Sequence, residues 1–167
     1  PSVTLTSLMH QRRFLTLLGV KAIGGFAYNV PFVHMGAMAS DQDLGESIQA
    51  LGIALVGLGS LLGRIVLGLA GDRLGHGRAL TWSITQLAIA MFMFPHCSTA
   101  VGFALASFYF GFHAGAFPCL PPAIVGTYFD QPQHRPFIGK LVGANFMAET
   151  VGLIVGPPIA GAMYDAS

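Results

Sequence analysis

The chain has 167 residues, 53% of them hydrophobic and only 9% charged, with a net charge of +1. Soluble domains carry about 25% charged residues, so this chain cannot dress a water-facing surface, and lipid must cover much of it. The near-neutral balance leaves no polyanion footprint, which excludes nucleic acid as a partner.

Residues 1–11 read as a cytoplasmic lead-in. They lack the basic stretch, short apolar core and small-residue cleavage site of a signal peptide. The chain opens on Pro1 rather than methionine and reads as a piece of a longer protein. From residue 12 to 167 the pattern predicts an incomplete transmembrane bundle of five helices, at about 14–39, 47–71, 79–95, 100–129 and 137–164. The breaks between them are SDQDLGE, DRLGHGR, HCST and DQPQHRP. All but the third reach the roughly 20 residues that cross a ~30 Å hydrocarbon core, and the third lies at the short end of the range. Pro31, Pro118, Pro121 and Pro122 are predicted to kink the longer segments.

Orientation follows from the basic residues. Arg12, Arg13, Arg73, Arg78, Arg135 and Lys140 fall on one side if the segments alternate, while Asp41, Asp43, Glu46 and Asp165 fall on the other with no Lys or Arg. That asymmetry puts the basic side in the cytoplasm. The chain then ends outside, just before an expected sixth span. Trp82, Tyr128 and Tyr164 sit near the predicted interfaces, where aromatic belts form. Cys97 is placed at the outer surface and Cys119 deep in a helix, so no disulfide between them is expected.

The stretch GLGSLLG, from Gly57 to Gly63, is not a dinucleotide loop, because it lies inside an uncharged apolar run rather than between a strand and a helix. Gly59 and Gly63, four apart, instead let another helix approach closely. Gly111/Gly115 and Gly152/Gly156 repeat that spacing. Three charges fall at membrane depth. Arg64 stands ~10 Å above the inner end of its helix, Lys21 ~13 Å from Arg12, and Glu149 ~18 Å into the last segment. Such residues tend to face a cavity or a partner. Two bases and one acid would leave one positive charge for an anion, and a planar carboxylate suits a guanidinium. Tyr28 shares the face of Lys21, and Ser60 is expected on the face of Arg64. Tyr109, His113 and Phe117 share a face of the fourth segment, with His113 near mid-membrane.

The loop GLAGDRLGHGR fits the pattern G-x-x-x-D-R-x-G of the major facilitator superfamily at Gly68, Asp72, Arg73 and Gly75, with His76 where a base is usual. The segments YNVPFVHMGAMASDQD, GRIVLGLAGDR and GPPIAGAMYDAS resemble the seventh, eighth and eleventh helices of monocarboxylate-transporter-like proteins. The resemblance implies the C-terminal half of a twelve-helix all-α membrane fold, helices seven to eleven. It implies secondary or facilitative transport of small organic anions by alternating access, in the plasma membrane. Arg64 matches an arginine implicated in holding the substrate carboxylate, with Lys21, Tyr28 and His113 as further candidates for substrate binding. Gly68, Asp72, Arg73 and Gly75 would form a cytoplasmic gating loop. Well-studied members carry an aspartate one turn before the arginine for proton coupling. Ser60 cannot hold a proton that way, so Glu149 or His113 would have to carry it, or transport is uniport or uses another coupling. No cofactor, metal cluster or catalytic constellation is expected, and an enzyme is the least favoured class. The alternatives are a carrier of the same fold for an amino acid, vitamin or drug, and a non-transporting receptor or scaffold. The sequence leaves an accessory subunit open.

Overall fold

The computed structural model describes residues 4–166, without the side chains of Tyr164 and Asp165. The belt position predicted for Tyr164 and the outer charge assigned to Asp165 therefore lie outside the described residues. Among the described residues the regular elements are all helical. A short α1 (Leu5–Met9) is started by Thr4, whose hydroxyl accepts from the Ser7 N–H. Then come α2 (Arg12–Tyr28), α3 (Val30–Ser40), α4 (Glu46–Leu74), α5 (His76–Met93), α6 (Ala100–Ala114), α7 (Ala116–Tyr128) and α8 (Ile138–Asp165). Single 3-10 turns at Phe94–His96 and Arg135–Phe137 close α5 and open α8.

Each predicted segment is helical, but two are divided. The first is α2 plus α3, and the fourth is α6 plus α7. Proline explains both breaks. Pro31 and Pro118 lack the N–H that would bond to the carbonyls of Ala27 and Ala114, and the helices end at Tyr28 and Ala114. Pro121 and Pro122, in contrast, lie inside α7, and Pro157 and Pro158 lie inside α8. Membrane helices tolerate this because neighbouring groups satisfy the freed carbonyls. Arg12–Ser40, Glu46–Leu74, Ala100–Tyr128 and Arg135–Met163 are long and apolar enough to cross a membrane. The 18-residue α5 is not among them, since it opens on His76 and Arg78 and carries Thr81, Ser83, Thr85 and Gln86 through its first half.

The chain divides into two compact units, Pro1–Asn29 with Pro121–Ser167, and Val30–Leu120. In the first, α2 packs along α8. A Cβ on Gly25 would strike the Glu149 backbone, one on Gly152 the backbone of Ala22 and Phe26, and one on Gly156 the Phe26 carbonyl. At the basic end of this unit Phe14 meets Phe129 edge to face at 5.9 Å, and the Arg13 guanidinium stands 5.8 Å from the Tyr128 ring centre.

In the second unit α4 packs along α6, with α5 against both and α3 against α4. The buried stripe of α4 runs Gly52, Val56, Gly59, Ser60, Gly63, Leu67, Gly71. Gly59 and Gly63 abut the backbone of Phe108 and Phe112, while Gly111 and Gly115 abut that of Val56 and Ser60. The spacing predicted to allow close packing is thus used reciprocally. Phe94, Phe103 and Phe110 form an edge-to-face cluster at 5.8 and 6.0 Å, and Gln42 Nε2 donates to the Phe94 carbonyl at 2.7 Å. Gly75 joins α4 to α5 with φ 96 and ψ 126, a backbone conformation that only glycine adopts without strain. Both cysteines are free.

Gly63→Ala should lower the melting temperature of the complete protein in detergent by several degrees, because the added methyl meets backbone that cannot yield. Gly57→Ala, six residues away with open space around it, should be neutral or slightly stabilising, since alanine favours a helix interior over glycine by about 1 kcal/mol. Equal melting temperatures for the two variants would contradict this account of the seam.

Candidate functional site

Two of the three charges at membrane depth are brought together. Lys21 of α2 and Glu149 of α8 form an ion pair, nitrogen to Oε2. Lys21 is fully buried and Glu149 is 7% exposed. The geometry comes from the seam. Gly25, one turn after Lys21, lets the α2 backbone touch that of Glu149, so the lysine chain needs to cross only a narrow gap. Its ammonium also lies 5.3 Å from the centre of the Phe146 ring, a favourable contact for a cation in a desolvated setting. Tyr28, two turns along α2 from Lys21, is half-buried. Asn145, one turn before Glu149, is 1% exposed.

Arg64 belongs to the other unit and is treated differently. It is exposed on α4, and no carboxylate pairs with it among the described residues. Its backbone lies against Gly115, and the Cys119 thiol reaches its carbonyl at 3.9 Å. The sequence pattern puts Ser60 on the Arg64 face, whereas Ser60 is buried in the α6 seam. A four-residue step turns a helix by about 40°, enough to carry one residue into the seam and leave the other at its edge. The exposed neighbours of Arg64 are Leu61, Leu62, Ile65 and Val66.

His113 is 7% exposed and lies within one turn of Gly115. Its ring is held edge to face by Tyr109 at 4.8 Å and Phe112 at 5.2 Å, and its Nδ1 has no hydrogen-bond partner among the described residues. Tyr109 donates its hydroxyl to Gln86 Oε1 of α5. This link joins two helices through residues 23 positions apart, and sequence reasoning did not find it. Gln86 and Ser83 are both buried, and their placement on one stripe with Ala79 and Ala90 was the available signal.

The expected loop is largely helix: Gly68, Asp72 and Arg73 lie within the last turns of α4, and only Gly75 forms the corner to α5. Asp72 and Arg73 are exposed and Gly68 is half-buried. Asp72 Oδ1 meets His76 Nε2 at 3.0 Å, so the histidine that replaces the usual base bonds this aspartate across the corner.

With the helical order, the Gly75 corner and the intramembrane charges described, comparison with known proteins settles the family. The model of the Major Facilitator Superfamily matches residues 4–167. The chain belongs to the major facilitator superfamily. It is similar to monocarboxylate transporter 11 of Mus musculus, at 30% identity over 89% of this chain and 34% of that protein. It is also similar to monocarboxylate transporter 13 of Bos taurus, at 24% identity over 100% and 39%. An aspyridones efflux protein of Emericella nidulans matches at 26% identity over 81% and 27%. The chain spans about a third of the length of these relatives. No solved structure gives a significant match. Membership of this superfamily and four membrane-length apolar helices make the chain part of a multi-pass integral membrane protein.

A buried pair is costly to break from one side, because the remaining charge is stranded. Lys21→Met or Glu149→Gln alone should destabilise the complete protein by about 3–5 kcal/mol, seen as a loss of folded material by size exclusion in detergent. The double variant K21M/E149Q, which strands no charge, should recover most of it. Single variants as stable as the parent would show that the pair does not hold the seam.

Proposed function

We propose that the complete protein is a transmembrane carrier of small organic anions, working by alternating access around a site at mid-membrane. The observation that carries this reading is Arg64. An arginine at membrane depth costs about 2.5–3.5 kcal/mol on insertion scales, and this one is exposed with no acid beside it among the described residues. Lys21 and Glu149 neutralise each other, so the three charges at membrane depth leave one unit positive, on Arg64. A carboxylate would make paired hydrogen bonds to the guanidinium. Similarity to two proteins named as monocarboxylate transporters supports this cargo.

In this reading Arg64 is the anion contact. His113 and Tyr28 supply polar atoms to the pathway, and Lys21 acts on the cargo through its charge when its hold on Glu149 weakens. Glu149 and His113 are the candidates for proton coupling. The end of α4 with Gly68, Asp72 and Arg73, and the corner at Gly75, form the cytoplasmic gate, and five of the helical segments cross the plasma membrane from a cytoplasmic lead-in at residues 1–11. A second reading, a carrier of a larger organic solute, is favoured by the similarity to a protein named for aspyridones efflux. Neither reading involves enzymatic chemistry.

In the complete protein, Arg64→Gln should reduce uptake of a labelled short-chain monocarboxylate by about tenfold to a hundredfold at unchanged surface level. That is the range expected for losing a hydrogen bond to a charged group, about 1.5–3 kcal/mol. Arg64→Lys should retain part of the uptake, because it keeps the charge but not the planar fork. Normal monocarboxylate uptake by Arg64→Gln would overturn the assignment.

A further inference from the structure

The buried stripe of α5 runs Ala79, Leu80, Ser83, Gln86, Ala90. Its opposite face begins with Gly77, Arg78, Thr81, Trp82 and Thr85, all exposed, and these five residues line an open groove of about 400 Å³. A Cβ on Gly77 would meet nothing within 4 Å, so the groove is unobstructed at that end. Among the described residues no acid pairs with the Arg78 guanidinium, and the Trp82 indole has no hydrogen-bond or ring partner. The two threonine hydroxyls donate to the Gly77 and Thr81 carbonyls, at 3.0 Å each, and their oxygens keep the capacity to accept. Beyond Thr85 the same face turns apolar, with Ala88, Ile89 and Phe92 exposed.

Depth gives this order of residues a meaning. The 18 residues of α5 rise about 27 Å, less than the ~30 Å of a hydrocarbon core. Gly77 to Thr85 takes up about 12 Å of that rise, whereas the headgroup layer on each side is only about 5–8 Å deep. The groove therefore starts at the surface and ends at a depth that acyl chains occupy. A bilayer meets a short apolar stretch by thinning around it, which draws headgroups toward the groove.

We propose that this groove binds one anionic phospholipid, in the leaflet at the α4–α5 corner. The lipid phosphate lies against Arg78, whose planar guanidinium makes paired hydrogen bonds to phosphate oxygens. Trp82 donates its N–H to a phosphate or ester oxygen, at the headgroup level where amphipathic rings collect. Thr81 and Thr85 border the glycerol backbone, and an acyl chain continues over Ala88, Ile89 and Phe92. The occupant is an amphiphile because the face is ordered as one: a cation, then hydroxyls, then hydrocarbon. Free phosphate would leave the apolar continuation unused. An anionic headgroup is favoured over a zwitterionic one by the charge of the corner, where Arg73 and Arg78 outnumber Asp72 and Asp72 already bonds His76. Lipid held in this way involves no cargo and no transport step.

The test uses the complete protein in nanodiscs of phosphatidylcholine with a minor share of phosphatidylserine, and native mass spectrometry to count the lipids it retains. The parent should retain one phosphatidylserine in preference to phosphatidylcholine. Arg78→Gln should weaken that retention about tenfold, as expected for losing a hydrogen bond to a charged group. Trp82→Phe, which keeps a ring and loses the N–H, should weaken it less. Gly77→Leu keeps every charge and fills the open end of the groove, so it should also lower retention. Arg135→Gln removes another exposed base, outside α5, and should leave the bound phosphatidylserine in place. Retention unchanged in both Arg78→Gln and Gly77→Leu overturns the site. Equal losses in Arg78→Gln and Arg135→Gln overturn it too, because they mark a general attraction of anionic lipid to basic ends. Displacement of the phosphatidylserine by inorganic phosphate at equal concentration would make a free anion the occupant and overturn the lipid.

Discussion

Lipid tails solvate an apolar helix about as well as another apolar helix does, so helices in a bilayer gain little from hydrophobicity alone when they associate. What remains is contact between backbones, and contact requires small residues at the crossing. Both units of this chain meet that requirement in the same way. In one, Gly25 on α2 abuts Glu149, while Gly152 and Gly156 on α8 abut the α2 backbone around Gly25 and Phe26; in the other, Gly59 and Gly63 on α4 face Gly111 on α6 and Gly115 at its end. Added methyls at these positions would strike carbonyls and amides of the opposing helix rather than flexible side chains. The rest of the architecture depends on those two seams.

The first seam determines how charge is distributed. Because backbones touch at Gly25 and Glu149, water is excluded, and any charge there has to be answered locally. Lys21 is answered by Glu149 and by the face of Phe146. Desolvating such a pair is expensive and its attraction roughly offsets the cost, so the pair is weak evidence of stabilisation and better evidence that ionisable groups are wanted at that depth. The second seam excludes charge altogether. Ser60 and Gly63 fill the crossing, and Arg64, at its margin, is exposed. One seam thus internalises its cation while the other presents its own.

The helices were legible in the sequence because a span leaves a long unbroken apolar run, and the glycine pairs were legible because a four-residue spacing fixes a face. The breaks at Tyr28 and Ala114 were less so. Prolines at 31 and 118 ended helices, while those at 121, 122, 157 and 158 did not. One residue type gives two outcomes depending on whether neighbours satisfy the freed carbonyl, and composition does not encode neighbours. The same limit applies to the site. Lys21, Arg64 and Glu149 were conspicuous as charges at depth, but nothing in one dimension says which base takes the acid. Ser60 fell on the wrong side of a narrow stripe because a 40° offset decides between seam and margin. The bond from Tyr109 to Gln86 was not legible because its two ends lie 23 positions apart on different helices.

The remaining question is whether such a set of charges suits a scaffold as well as a carrier. A scaffold needs its seams, and the glycines supply them without any ionisable group. Adding Arg64 to a membrane helix costs a few kcal/mol on insertion scales, and among the described residues no acid repays that cost. Asn145 adds an amide with neither end paired, again at a cost that apolar packing would avoid. These expenses lie at depth, and the exposed residues next to Arg64 are Leu61, Leu62, Ile65 and Val66, where selection for stability alone would favour leucine. A protein that moves a charged solute through the membrane has a use for each of them. It needs a fixed cation to attract an anion and polar groups along its path. The pattern of local sacrifice therefore favours the carrier over the scaffold on energetic grounds that are independent of the family resemblance.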